Sequence, residues 1–344
     1  MRTVLFCGHG SRYGLSHLGP VLRNFDVIAV VAATQGRWAN FRQQLSGEAI
    51  VYPPSLFAPV DMIADIARTL RRRLAEWLYT DLRFALICRR AGVPVWWTSD
   101  VNEPGFVRKI SECTPDVILS AAYPQFFSNG LLGAARRGGI NFHPAALPQY
   151  RGSHPHFWTI AKGEKEGGVT AHFMTQILDG GPVVAQIRFP ILNMYYSEYY
   201  RAIVERTPAL VGEVREFLVS GQHPTPQTGE SSFFRNDREV HHCVSWGLMN
   251  ANEIHNLVRT ERAFCTFRGR LVWVRRADVC SDNRNMTNQA TVEPGTIVDI
   301  EDTRVVVAAR DDYVGIASLS DGRRKMKFAR WTARHRPRIG ERFS

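Results

Sequence analysis

The 344-residue chain has no C-x-x-C pair, no G-x-S-x-G turn, no G-x-G-x-x-G spacing and no apolar run near the ~20 residues of a membrane span. Each absence excludes something. Cys7, Cys88, Cys113, Cys243, Cys265 and Cys280 are scattered, so reduced, packed thiols and a cytoplasmic location are expected, with no metal. Without a long apolar run there is no membrane-spanning helix, and MRTVLFCGHG at the start reads as a strand rather than a signal peptide. Without a nucleophile turn, chemistry through a covalent acyl-enzyme is disfavoured. The Gly8-His9-Gly10-Ser11-Arg12-Tyr13-Gly14 turn is spaced G-x-G-x-x-x-G. Strand two, Val27 to Ala33, ends in Thr34-Gln35-Gly36, with no carboxylate to hold a ribose, so a nicotinamide site is not expected.

Acidic residues are also short: 32 against 43 Lys and Arg, a net charge of +11. That balance suits anionic partners such as nucleic acid, a nucleotide diphosphate or a folate polyglutamate tail, and equally suits a solvated basic surface. The length implies two domains on a prior of ~100–200 residues each. The Pro/Gly/Ser/Thr-rich segment 220–232 is the natural linker, which gives a catalytic domain over 1–219 and an accessory domain over 233–344.

Short apolar runs alternate with helical periodicity through the first part of the chain. Thr3 to Cys7, Val27 to Ala33, Val93 to Trp97 and Asp116 to Ala121 read as strands, a pattern that predicts an α/β, Rossmann-like, doubly wound and mostly parallel sheet. From Asp61 to Ala91 apolar residues recur at helical spacing, with Arg71-Arg72-Arg73 on the solvent side. Ser99 or Asp100 is a candidate helix cap. Pro155 to Ala161 reads as a helix, Val169 to Met174 as a strand, and Glu198 to Val219 as a long amphipathic helix in which Pro208 is a candidate kink or interruption. Beyond the linker, Asn252 to Thr260 is helical. Short strands follow over Ala263 to Phe267, Leu271 to Arg275, Gly295 to Ile300, Arg304 to Ala308 and Gly315 to Leu319. Arg323, Arg324, Lys325, Lys327, Arg330, Arg334, Arg336 and Arg338 form a basic tail interleaved with Phe328 and Trp331, readable as a nucleic-acid surface or as a solvated barrel edge.

The segment from Gly138 to Pro182 holds the most informative residues. In a strand Asn141 and His143 point to one side, and Asp179 precedes Gly180-Gly181. An amide, an imidazole and a carboxylate are the parts needed to move an acyl group onto an amine. Asp179 beside His143 is expected to raise the imidazole pKa. His154, His156, His172, His241 and His242 invite a metal reading, but no ligand motif accompanies them, and surface or supporting roles are preferred.

Asn141-x-His143, Leu147-Pro148-x-Tyr150-Arg151-Gly152, Val169-Thr170 and Leu178-Asp179-Gly180-Gly181 together resemble the formyltransferase family that uses 10-formyltetrahydrofolate. The likeness is clear from Val93 to Pro182. Ala145-Ala146 stands where the family usually has Ser-Leu, and the Pro-Gly-Ala usual after the helix bearing Asn256 and Arg259 is missing. The resemblance implies catalytic roles for Asn141, His143 and Asp179. It implies donor contacts from Gln125, Phe126, Phe127, Ser153, Thr175, Gln176, Ile177, Leu178 and Asp179, with ordinary core aromatics as the other reading of the Phe126-Phe127 pair. It implies a C-terminal α+β domain with a small open β-barrel, and an expanded segment at about 37–91 that is either a lid or an insertion. The implied donor is 10-formyltetrahydrofolate. The implied acceptor is a small-molecule amine, with a nucleotide-linked amino sugar preferred over a hydroxyornithine-type amine or methionyl-tRNA. An accessory domain of this kind could also pair subunits into a homodimer.

Overall fold

The computed structural model describes all residues except 34–79, 81, 281–291, 322–325 and 327. The Arg71 to Arg73 run, most of the expanded segment and half of the basic tail lie outside the described residues. The chain divides into two units. Residues 1–152, 168–189 and 201–233 make the first; residues 153–167, 190–200 and 234–344 make the second. The division is therefore not one cut at the 220–232 segment, because two short stretches from before it belong with the C-terminal unit.

The strands of the first unit's main sheet are β1 (Arg2–Cys7), β2 (Asp26–Ala33), β3 (Val95–Thr98), β4 (Val117–Ala121), β5 (Gly139–His143), β7 (Glu166–Phe173) and β8 (Val183–Pro190), and the two-residue strands β6 (Arg151–Gly152) and β9 (Phe233–Phe234) lie outside it. The seven are ordered β3-β2-β1-β4-β5-β7-β8. β1 to β5 run parallel, and β7 pairs antiparallel with β5. The inner strands are apolar at nearly every position because both faces of a parallel sheet are covered: β4 reads VILSA and is buried throughout. Val4, Phe6, Ile118, Phe127 and Leu131 form the core on one face. Leu210, Val211, Val214 and Leu218, on the helix Tyr196–Ser220, are also buried.

The glycine turn after β1 has a packing explanation. A Cβ at Gly8 would lie 2.0 Å from the Ala122 carbonyl oxygen, and the Gly8 N–H donates to the Ala121 carbonyl at 2.9 Å. Ser11 then caps the helix Arg12–Asn24 through the Gly14 N–H. The helix Pro104–Glu112 starts later than Ser99 or Asp100 would place it. Pro104 at its first position needs no N–H partner, and both Glu103 carboxylate oxygens accept from the N–H groups of Gly105 and Phe106.

The second unit carries a five-stranded antiparallel sheet ordered β10-β11-β14-β13-β12. Its strands are β10 (Phe264–Phe267), β11 (Arg270–Cys280), β12 (Ile297–Ile300), β13 (Val305–Ala308) and β14 (Tyr313–Ser320). The helix Ala251–Arg259, capped reciprocally by Asn250 and Glu253, packs on it. Phe328 and Trp331, on the helix Phe328–His335, are core residues; Trp331 is fully buried beside Phe267 and Phe343. They are not exposed stacking platforms, which corrects the nucleic-acid reading of the aromatic positions in the tail. Among the described residues no helix is long and apolar enough to cross a membrane.

Candidate active site

Because β5 runs parallel to β4 and β1, its last residue, His143, sits at the carboxyl rim of the sheet, where open α/β folds place their sites. Antiparallel pairing sets Asn141 opposite His172 and His143 opposite Thr170. Asp179 closes the arrangement from the turn after β7, in a left-handed conformation with φ 51°. Asp tolerates this region better than most residues. Gly181 is obligatory there: a Cβ would lie 1.8 Å from the Phe173 carbonyl oxygen.

The three expected catalytic side chains converge. Asp179 Oδ2 lies 3.6 Å from His143 Nδ1, and Asp179 Oδ1 lies 3.4 Å from Asn141 Nδ2. The Gly152 N–H donates to Asp179 Oδ2 at 2.9 Å. His172 is the fourth member, its Nε2 3.4 Å from both Asp179 Oδ1 and Asn141 Nδ2. Its position on β7 could have been found from alternation with Thr170, but only once β7 is known to lie beside β5.

The rings are fixed by carbonyls. His143 Nε2 meets the Tyr150 carbonyl at 2.9 Å, and His172 Nδ1 meets the Phe173 carbonyl at 2.9 Å. A carbonyl accepts only from an N–H, so a neutral His143 ring carries its lone pair on Nδ1, the nitrogen facing Asp179. The His143 pKa is lowered, contrary to the expected rise. Burial of the ring is the largest effect, and it outweighs the opposing pull of Asp179 and of the Tyr150 carbonyl, while His172 pushes the same way as burial. Burial acts to raise the Asp179 pKa, but His143, His172 and the Gly152 N–H together hold it well below the usual carboxylate range. The resting pair is therefore a neutral imidazole facing an ionised carboxylate.

The residues expected to meet the donor fall into different settings. Phe126 is 47% exposed, Ile177 65% and Leu178 47%, so these apolar surfaces remain open for a flat ring. Gln176 Nε2 donates to Asn129 Oδ1 at 2.5 Å, tying the Thr175–Leu178 loop to the Ser128 turn. The Thr175 hydroxyl accepts from the Ile177 N–H and shapes that loop. Gln125 uses its side chain internally, accepting from the Val101 N–H and donating to the Ser99 carbonyl. Asn102, not among the expected residues, holds the Phe126 carbonyl and the Ser128 N–H. Phe127 is buried against Phe6 and Tyr123, in keeping with a core role. Ser153 belongs to the second unit, exposed, with its N–H on the Phe234 carbonyl. An open apolar edge beside backbone-rich polar loops fits a pterin-type ring.

The other histidines also find partners. His154 Nδ1, His242 Nε2 and an Arg262 guanidinium nitrogen all engage the buried Asp237 carboxylate. Burial acts to raise the pKa of Asp237, and these three partners hold it well below its usual value.

Several known structures share the fold. An N-formyltransferase from Helicobacter canadensis, in complex with folinic acid and dTDP-3-aminofucose, aligns at TM-score 0.58 and 14% identity over 92% of this chain and 98% of that one. A sugar N-formyltransferase from Shewanella sp. aligns at TM-score 0.53 and 17% identity over 80% of this chain and 96% of that one. HypX from Aquifex aeolicus, in complex with tetrahydrofolic acid, aligns at TM-score 0.50 and 21% identity over 74% of this chain, which spans only 45% of HypX. A formyl transferase family model matches residues 84–210, and a formyl transferase C-terminal domain model matches residues 239–336. The first match contains Asn141, His143, His172 and Asp179, the two matches together cover about two thirds of the sequence, and the chain belongs to the formyltransferase family.

Proposed function

We propose that the protein transfers the formyl group of 10-formyltetrahydrofolate to the primary amine of a small molecule, with a nucleotide-linked amino sugar as the acceptor class. The observation that carries this reading is the meeting of Asn141, His143 and Asp179 at the carboxyl rim of the sheet. The acceptor class draws support from the sugar N-formyltransferases that share the fold over most of this chain's length. The likeness of the Val101-Asn102-x-Pro104 to Tyr150-Arg151-Gly152 stretch to a UDP-aminoarabinose formyltransferase adds to it.

The donor supplies a formyl carbon that passes to the amine nitrogen as its bond to the folate nitrogen breaks. One proton leaves the amine and one joins the folate nitrogen, with no change of oxidation state. Asn141 donates an N–H to the oxygen that becomes an oxyanion, and removing such a donor typically costs ~3 kcal/mol. His143 enters neutral, with its Nδ1 lone pair available to hold a proton. Once protonated, that nitrogen faces ionised Asp179, which stabilises the imidazolium until the proton moves on. Gly152 and His172 keep the carboxylate in place.

The test is to mix enzyme, formyl donor and a panel of nucleotide amino sugars and other amines, and to follow tetrahydrofolate release. Release that requires an amine, with recovery of the N-formyl product, supports the reading. Release at an equal rate without amine would assign a deformylase instead.

A further inference from the structure

We propose that the segment 225–232 is a strap that positions the catalytic groups, with Gln227 as its positioning residue. This rests on the functional reading above for the reaction it serves. Composition alone makes the segment a flexible linker, yet its backbone and side chains are tied along the site. Thr225 and Val183 exchange N–H···O bonds of 2.7 and 2.8 Å. The Glu230 carbonyl accepts from Gln149 Nε2, and the Ser232 hydroxyl accepts from the Tyr150 N–H at 2.8 Å.

Gln227 is half-buried in an otherwise mostly exposed run, and its amide is fully used. Nε2 donates to the Asp179 carbonyl at 2.8 Å and to the Gly181 carbonyl at 2.7 Å. Oε1 accepts from Arg151 Nε at 3.1 Å and Nη2 at 2.6 Å. Arg151 precedes Gly152, whose N–H holds the Asp179 carboxylate. One side chain thus ties the backbone of the left-handed Asp179 turn to the strand that grips its carboxylate. Ser232 holds the backbone of Tyr150, whose carbonyl fixes the other side of the His143 ring. Both groups that decide where His143 carries its proton are anchored to the strap. The charged or titratable groups facing that ring are Asp179 and, with ring centroids 6.4 Å apart, His172.

The test uses the full chain with Gln227→Ala and Gln227→Met. Three quantities are read: the NMR titration of the His143 ring, kcat against KM for the donor, and the unfolding midpoint. If Asp179 recedes, His143 loses the charge that favours its imidazolium, so its titration moves to lower pH. The expected result is that shift, a fall of about 10–100-fold in kcat and little change in KM, in folded variants. An unchanged titration with kcat within about twofold of wild type would overturn the proposal, as would failure of both variants to fold, which would make Gln227 a structural clamp only. If the wild type transfers formyl to no amine, the functional reading fails while the ring titration still decides the strap.

Discussion

His143 gains its chemical character from the two atoms its ring faces, a carbonyl on one side and a carboxylate on the other. His143→Ala removes the only proton-holding group aimed at Asp179 from β5 and is expected to lower kcat by about 10²–10⁴-fold, with the fold retained by circular dichroism. Asn141→Ala is expected to lower kcat by about 10²–10³-fold while leaving donor KM nearly unchanged, because the lost hydrogen bond strengthens only as charge develops. The shared face of Asn141 and His143 was legible in the sequence, since alternation along a strand forces it. The sign of the His143 pKa shift was not. A carboxylate neighbour can be guessed from sequence, but the depth of burial that outweighs it cannot.

Elements were legible where their punctuation is local. The helix Pro155–Ala161 agrees with its sequence reading residue for residue, while the long helix continues from Tyr196 to Ser220 without the interruption that Pro208 suggested. Long-range contacts were invisible. The 225–232 strap has the composition of a linker because its bonds go to partners far away in sequence. Trp331 reads as part of a basic tail because three-residue spacing from Phe328 says nothing of which face is covered. Its burial predicts that Trp331→Ala costs about 3–5 kcal/mol in urea unfolding. A Trp331→Ala variant of unchanged stability would contradict the packing described.

The helix Arg12–Asn24 carries a second consequence of burial. His17 is fully buried, its ring 4.5 Å from that of Phe142 on β5, with Nδ1 on the Tyr13 carbonyl. Burial lowers its pKa to about 4, against the opposing hydrogen bond to Tyr13. The unfolded chain, with an ordinary histidine pKa of about 6.5, therefore binds a proton that the folded chain refuses. Stability from this group is present above pH ~6.5 and falls as pH drops towards about 4, by roughly 3 kcal/mol in total. Urea unfolding between pH 7 and pH 4 should show that loss, and His17→Leu should flatten the slope.

At the scale of the molecule the net charge of +11 remains the feature with two readings. Among the described tail residues Arg334 pairs with Asp321 at 3.1 Å, and the aromatic positions are core. With no aromatic platform there, any association with tRNA should be a charge effect alone. Filter binding is expected to show retention at low salt that collapses by physiological salt, with no preference among RNA sequences. Tight, sequence-selective retention at physiological salt would instead favour methionyl-tRNA as acceptor. Two domains were the expectation from length and from the shift to short alternating strands. The grouping of residues 153–167 and 190–200 with the C-terminal stretch was not foreseeable, because it depends on contacts between residues far apart in sequence.

The most direct measurement follows the formyl carbon itself. A single turnover with carbon-13-labelled formyl donor and an amine substrate is quenched, and protein, acceptor and free formate are separated by mass spectrometry. Direct transfer predicts the label on the acceptor nitrogen, none on the protein at any time, and slow appearance with His143→Ala or Asn141→Ala. Label captured on a side chain, or released as formate while the amine stays unmodified, would contradict it.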